Sequence, residues 1–121
     1  MAKLSEEAKK IIGDIRPGLI ATASKDGKPN VSAKGTFRVL NDECVAFNDF
    51  NSPRTMANLR ENPQLSAMVF DPTTRKGCRI WGQAEIMADG DLFDSLSTEF
   101  AARDMKLKHV VKVVVEEELT F

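Results

Sequence analysis

Apolar residues recur every three or four positions over residues 4–15, whereas later segments alternate between apolar and polar positions. The first spacing is typical of an amphipathic helix, which Ser5 would cap. The later segments predict six strands, at residues 19–24, 30–40, 44–48, 65–70, 77–87 and 110–121. A tight hairpin joins the first two strands, because Asp26-Gly27 tolerates the positive φ that such a turn requires.

Two further helices are predicted between the strands. A short one follows Ser52, and a longer one begins at Asp89-Gly90-Asp91. The longer helix would direct inward the residues Leu92, Phe93, Leu96, Phe100 and Ala101. Six antiparallel strands with short turns, in a single domain of residues 1–121, predict a mainly β fold that closes or nearly closes into a barrel. The helices would plug an end of this barrel or cover an edge.

The composition narrows the functional classes. The chain has 121 residues, of which 42% are apolar and 29% charged, and its net charge of −1 gives no basic surface for nucleic acid. No apolar run approaches the ~20 residues of a membrane helix. The charged N-terminus is unlike a signal peptide, so we expect a cytoplasmic protein without membrane contact. Cys44 and Cys78 are then expected to be buried free thiols, and the single histidine, His109, argues against a zinc site.

The short helix has an unusual first turn. Ser52 is a favourable N-cap and Pro53 suits the first helical position. Arg54 and Thr55 then occupy positions where carboxylates normally complement the helix dipole, and no acidic residue precedes Glu61. An external anion would satisfy both the free backbone N–H groups and the cation, and phosphate is the commonest such anion. The alternative is a surface helix whose Arg54 points into water.

Polar groups lie close to this corner in the sequence. The second strand places Val31, Ala33, Gly35, Phe37 and Val39 on one face, and Ser32 and Lys34 on the other. The third strand ends in Asn48-Asp49-Phe50, which leads directly into the short helix. Such side chains and strand-edge backbone groups beside an anion site are suited to a planar heterocycle with a phosphate tail.

Other motifs argue for structure rather than chemistry. The glycines form neither a dinucleotide-binding nor a P-loop pattern, and no residue stands out as a general acid or base. We interpret Glu116-Glu117-Glu118 as a solvated strand end, and Trp81 as a core or dimer-interface residue rather than a ligand contact. We interpret Lys106, Lys108 and His109 as a solvated turn, which could also face a partner subunit.

The segment Arg54-Thr55-Met56-Ala57-Asn58-Leu59-Arg60-Glu61-Asn62-Pro63, followed by a strand at 64–70, has the pattern Arg/Lys-Thr-x-x-Asn-Leu-x-x-Asn-Pro. This pattern resembles the pyridoxamine 5′-phosphate oxidase-like superfamily of FMN-binding split barrels. The segments 18–32 and 77–86 resemble the family's first hairpin and its G-x-A-x-I strand. The resemblance implies a six-stranded antiparallel split β-barrel with flanking helices.

The resemblance also implies a cofactor and its site. FMN would be held through its phosphate at Arg54 and Thr55, beside Ser52, with Asn58 one turn further on. Its ring would lie along the second and third strands, at Val31, Ser32, Ala33, Lys34, Phe47, Asn48 and Asp49. Lys34 would stabilise the anionic reduced flavin if it reached the pyrimidine edge of the ring. The family implies a homodimer with both flavins at the subunit interface.

The expected function is that of a flavin-dependent oxidoreductase with a small-molecule redox partner. The alternatives are a non-enzymatic flavin carrier or sensor, and a reductase that uses a deazaflavin. Haem is disfavoured, because His109 is the only good nitrogen ligand. Vitamin B6 oxidation is not expected, since the sequence given ends at Phe121 without the substrate-binding Arg and His of the full-length oxidases.

Overall fold

Three helices and seven strands form the computed structural model, which describes residues 2–121. The helices are α1 (Glu6–Asp14), α2 (Pro53–Glu61) and α3 (Asp91–Ala101). The strands are β1 (Gly18–Ala23), β2 (Pro29–Lys34), β3 (Arg38–Asn41), β4 (Cys44–Asp49), β5 (Gln64–Asp71), β6 (Lys76–Met87) and β7 (His109–Thr120).

All seven strands belong to one antiparallel sheet with the order β2-β1-β5-β6-β7-β4-β3. The sheet curls into a half-barrel, and its two outermost strands, β2 and β3, do not pair with each other. The mainly β split-barrel fold predicted from the sequence is therefore confirmed. The concave side is filled by one apolar cluster that includes Ile20, Phe47, Val69, Ile80, Val111, Val113 and Val115. The helix α2 adds Met56 and Leu59 to this core.

The predicted six strands are seven, because the segment 30–40 is not one strand. The chain turns between Lys34 and Arg38, and the Phe37 ring in this turn is 2% exposed. That ring packs so closely on Gly18 that a Cβ there would lie 2.5 Å from it. The break also means that the residues predicted to share one apolar face do not all do so. Val31 is 66% exposed on the convex side, whereas Phe37 enters the core.

The helix α1 begins as predicted, with the Ser5 hydroxyl accepting a hydrogen bond from the N–H of Ala8 at 3.1 Å. Its Ala8, Ile11 and Ile12 side chains are buried in the main core. Glu118 fixes this helix start, because its carboxylate accepts from both the N–H and the hydroxyl of Ser5 at 2.8 Å. Glu116 and Glu117 are exposed, as predicted for a solvated strand end, whereas Glu118 is half-buried and joins β7 to α1.

The helix α3 covers the convex face of β4 and β7. A second apolar cluster there joins Ala46, Leu107 and Val110 to side chains of α3, namely Leu92, Phe93 and Leu96. The Phe100 ring is buried and meets Phe50 edge to face, with 5.0 Å between ring centroids. Ala101 is exposed rather than inward, because it lies on the solvent side of the helix. No helix within residues 2–121 is long and apolar enough to cross a membrane.

Both thiols lie inside the protein. Cys44 and Cys78 are buried and free, as the sequence predicts. Burial raises the pKa of the Cys78 thiol to about 11, because a thiolate there would lose its hydration. Cys78 therefore acts as a small apolar core residue at neutral pH.

The close contact between β6 and β7 at Gly82 gives a test of the fold. A Cβ at this position would lie 2.4 Å from the Val114 carbonyl oxygen and 2.7 Å from a Val113 methyl group. Gly82→Ala should therefore lower the free energy of unfolding by about 1–3 kcal/mol, measured by urea denaturation. The control is Gly13→Ala in α1, where a Cβ meets no atom within 4 Å and stability should be unchanged or higher. Equal stability of the two variants would contradict the close packing of these strands.

Candidate functional site

The first turn of α2 carries no internal cap. The helix begins at Pro53 after Ser52, as predicted, but the Ser52 side chain accepts no hydrogen bond from the helix amides. The turn contains no acidic residue, and the only basic residue of the last turn is Arg60. This helix start thus has no side-chain cap for its first N–H groups, and an anion would take that role.

Ser52 is held by groups from two strands instead. Its hydroxyl is hydrogen-bonded to the ammonium group of Lys34, which reaches it from β2, and its N–H donates to Oδ1 of Asp49 at 2.8 Å. The Lys34 ammonium also lies 5.9 Å from the centroid of the Phe47 ring. Burial lowers the pKa of Lys34, and the negative charge of Asp49 opposes that shift. The contact between Lys34 and Ser52 bridges the open side of the half-barrel, where β2 faces the end of β4.

Asp49 connects this corner to β7. Its side chain is 2% exposed, and its Oδ2 lies 2.8 Å from Nδ1 of His109, the residue that it faces in the β4–β7 register. The Asp49 carbonyl accepts a further hydrogen bond from the Lys108 N–H at 3.0 Å. His109 was therefore wrongly interpreted as part of a solvated turn, because its ring contacts a buried carboxylate.

A cavity of about 180 Å³ opens beside the start of α2. It is lined by Arg54, Ala57 and Asn58 from the helix, and by Ser24, Lys28 and Asn30 from the β1–β2 hairpin. Asn58 is held against β1, because its Nδ2 donates to the buried Thr22 hydroxyl at 3.1 Å. The lining has two cations and no acidic side chain, so the cavity favours an anion the size of a phosphate group.

The structure brings together five of the predicted site residues. Lys34, Asp49 and Ser52 are linked by hydrogen bonds or charge, and Arg54 and Asn58 line the cavity next to them. Thr55, in the same first turn, is 2% exposed.

The remaining predicted residues point elsewhere. The Phe47 ring is fully buried in the barrel core. Asn48 points to the opposite face of β4, where it lines a separate cavity next to α3. Val31 and Ala33 are exposed on the convex face, whereas Ser32 is half-buried. Phe47 can therefore contribute to a ligand site only through its backbone groups.

Sequence reasoning missed Lys28, Asn30, Thr22 and His109. The first two belong to a hairpin whose turn was recognised, and the register pairs Thr22 with Asn30 directly. Placing that hairpin against α2 would have identified them, but the strand pattern does not say which helix packs there. The contact between Asp49 and His109 spans 60 residues and has no local signal.

A second cavity, of about 310 Å³, lies against β1, β5 and β6. Trp81, Ser66 and Leu65 line it, together with Thr22 and Ala23 of β1. Trp81 is half-buried rather than a core residue, so its ring is available at a surface.

The chain matches a known family over nearly its whole length. The family model of pyridoxamine 5′-phosphate oxidase covers residues 4–120. A curated relative, the uncharacterized protein MJ0282 of Methanocaldococcus jannaschii, is 40% identical over an alignment of 70 residues that covers 54% of this chain. The matched segment spans 45% of that relative, less than half of its length.

Solved structures share the fold. HupZ of Group A Streptococcus has a TM-score of 0.88 at 24% identity, covering 98% of this chain and 94% of that one. An FMN-binding protein from Syntrophomonas wolfei has a TM-score of 0.83 at 18% identity, covering 95% and 84%. An F420 reductase (TM-score 0.72, 20% identity, 96% and 98%) and HutZ, the heme storage protein of Vibrio cholerae (0.67, 23%, 99% and 94%), are also similar. At these identities the likeness establishes the fold alone.

The pairing of Asp49 with His109 can be tested by its contribution to stability. Asp49→Asn keeps the shape of the side chain but removes a buried acceptor charge, so the free energy of unfolding at pH 7 should fall by about 1–3 kcal/mol. Asp89→Asn, in an exposed loop, is the control and should change it by less than about 0.5 kcal/mol. A double-mutant cycle with His109→Gln measures the pair itself, and a coupling energy of zero would contradict the contact.

Proposed function

Because the chain belongs to the pyridoxamine 5′-phosphate oxidase family, we propose that it binds FMN with the flavin phosphate at the start of α2. The observation that carries this proposal is the uncapped, acid-free first turn of α2 beside the cationic cavity at Arg54. Backbone N–H groups and a cation converge there, which is the donor set that a phosphate dianion requires.

The contacts of the neighbouring side chains support the same assignment. Lys34 is hydrogen-bonded to the Ser52 hydroxyl at the helix start. Its positive charge would therefore lie near the flavin phosphate rather than at the pyrimidine edge of the ring. The Asp49 carboxylate accepts a hydrogen bond from the Ser52 N–H, and the Asn58 amide is held by its hydrogen bond to the Thr22 hydroxyl. These contacts hold the donors in place before a ligand arrives, which reduces the ordering cost of binding.

The isoalloxazine ring needs more surface than the cavity at Arg54 offers. The edge of β2 is suited to this role, because β2 pairs only with β1 and leaves its other backbone edge free. The side chains of Phe47 and Asn48 are directed away, so ring recognition would rest on backbone groups and on Ser32. A second subunit would supply the remaining contacts.

Bound FMN would supply electron or hydride transfer, and the protein would hold it and exclude water. We therefore favour a flavin-dependent oxidoreductase with a small-molecule redox partner. The carboxylate and imidazole nearest the site, Asp49 and His109, are paired with each other, and Asp49 also holds Ser52, so neither is a free general acid or base. A non-enzymatic electron carrier or sensor is accordingly the second candidate. Oxidation of NAD(P)H by the FMN-loaded protein would distinguish the enzyme from the carrier.

Two other cofactors are alternatives within the same fold. A deazaflavin such as F420 also carries a phosphate and would use the same helix start, so parallel titrations with FMN and F420 decide between them. Haem is the weaker alternative, because His109 is the single histidine of the chain. The pairing of its Nδ1 with Asp49 leaves Nε2 as the one imidazole nitrogen that could ligate iron.

We place a homodimer interface on the convex face of β1, β2, β5, β6 and β7. Large apolar side chains there are exposed without forming part of the core: Leu19, Val31, Phe70, Leu119 and Phe121. The strand registers make them neighbours, since Leu19 faces Met68, Met68 faces Arg79 and Arg79 faces Leu119. A sheet face with this many exposed large apolar side chains is typical of a surface that another subunit covers.

Replacing Arg54 tests the cofactor site. Arg54→Glu should weaken FMN binding about 100-fold, because it replaces a charge-assisted contact with repulsion. Riboflavin, which lacks the phosphate, should bind the variant and the wild type equally. Arg60→Glu makes the same charge change at the other end of α2 and is the control. Binding is measured by the visible absorption and the quenched fluorescence of the flavin. Unchanged FMN affinity in Arg54→Glu would refute this placement, and a wild-type protein that ignores FMN would refute the cofactor.

Replacing Val31 tests the interface. Val31→Lys should convert the dimer to a monomer in light scattering at micromolar concentration, because it buries a charge in an apolar contact. Its own side chain is 66% exposed in the monomer, so the fold should remain intact. Ala88→Lys, in the exposed loop before α3, is the matched control. A monomeric wild type, or a dimer that tolerates Val31→Lys, would contradict the proposed face.

A further inference from the structure

A cavity of about 510 Å³ lies between α3 and the turn that joins β2 to β3. Its walls come from Gly35, Thr36 and Arg38 in the turn region, from Asn48 on β4, from Leu96, Glu99, Phe100 and Arg103 on or just after α3, and from Arg16. None of these residues lines the cavity at Arg54, and the Asn48 side chain is on the opposite face of β4 from Asp49. The volume is that of a small-molecule site.

Two hydrogen-bond donors in this cavity have no acceptor. The Arg38 guanidinium uses Nη1 to donate to the Thr36 carbonyl at 2.9 Å and to Oδ1 of Asn48 at 3.2 Å. Its Nη2 and the Nδ2 of Asn48 are buried and meet no acceptor among residues 2–121. Asn48 is 1% exposed, and its backbone N–H is also fixed, by the Thr36 hydroxyl at 2.9 Å.

The orientation of the Asn48 amide follows from its neighbour. Because a guanidinium can only donate, the atom of Asn48 that faces Arg38 must be the oxygen. The amide nitrogen therefore has to point away from Arg38, and its two hydrogens need another acceptor. Leaving such buried donors unpaired costs free energy, so the arrangement favours an acceptor that enters from outside the chain.

The charge of the cavity favours an anion as that acceptor. Arg16, Arg38 and Arg103 contribute three cations and Glu99 one anion. Burial lowers the pKa of Arg38, and the charge of Glu99 opposes that shift. A second negative charge on the ligand would meet Glu99, whereas a planar carboxylate matches the flat donors of guanidinium and amide. Leu96 and the Phe100 ring, with the Arg103 guanidinium 5.0 Å from the ring centroid, provide an apolar wall for the rest of the ligand.

We infer that this cavity binds a small organic carboxylate, whose oxygens accept from Nη2 of Arg38 and Nδ2 of Asn48. Glu99 and Arg103 also line the cavity, and both are exposed, so neither side chain is held in place by the core. The site is separate from the proposed flavin site and does not depend on it.

Sodium benzoate is the probe, and benzamide, its neutral isostere, is the comparison. Calorimetric titration should show benzoate binding at least about tenfold tighter than benzamide, because only the carboxylate matches the cationic donors. In a ¹⁵N–¹H spectrum of the wild type, the side-chain amide signals of Asn48 should shift with benzoate. Equal affinity for the two probes, or an unmoved Asn48 signal, would overturn the inference.

Variants identify the donors. Asn48→Asp keeps the oxygen that faces Arg38 but replaces the free amide with a second oxygen, so benzoate should bind at least about tenfold more weakly while the protein stays folded. Glu99→Gln should tighten benzoate about two- to fivefold, because it removes the competing anion. Benzoate affinity that survives Asn48→Asp, or that falls in Glu99→Gln, would contradict the assignment.

Two measurements separate this site from the flavin site. Benzoate should bind equally to Arg54→Glu and to the wild type, and equally with and without saturating FMN. Competition between benzoate and FMN would place the cavity in the flavin site and overturn the inference. If the protein ignores FMN but binds benzoate as described, the flavin proposal fails and this one stands.

Discussion

The buried carboxylate at the end of β4 sets the geometry on which both proposed sites depend. Asp49 is the last residue of β4. Its side chain accepts a hydrogen bond from Ser52 at the start of α2 and is paired with His109 on β7. Because successive strand residues point to opposite faces, fixing Asp49 toward the helix start also turns Asn48 toward α3. Asp49 and Asn48 therefore place an uncapped helix start on one side of the sheet and a free amide donor on the other.

The split in the barrel explains why side chains rather than backbone close this corner. Since β2 and β3 are the two edges of the sheet, no ladder hydrogen bonds join the ends of the barrel. Lys34 spans the opening and contacts Ser52, with its charge partly compensated by Asp49. A corner closed by a few polar contacts can accept a charged ligand without disturbing the apolar core beside it.

Local signals predicted most of the elements, and long-range contacts account for what was missed. The bounds of α2 and the β1–β2 turn followed from proline, glycine and capping residues within a few positions. The break after Lys34 did not, because it depends on the Phe37 ring packing against Gly18. Likewise Glu118 and His109 contact residues 113 and 60 positions away, and no periodicity reports such a pairing. At the candidate site, the sequence predicted the helix start but not the hairpin side chains that complete it.

The place of β7 in the sheet has a consequence for how the chain is made. The strands β2-β1-β5-β6 form one side and β4-β3 the other, and β7 alone joins them. A ribosome-bound chain that has not yet reached His109 holds two unjoined sheet fragments, each with an open edge where β7 belongs. Cooperative folding therefore waits until this strand has emerged, and until then both edges are exposed to other strands, so the protein depends on rapid completion or on chaperone cover during synthesis.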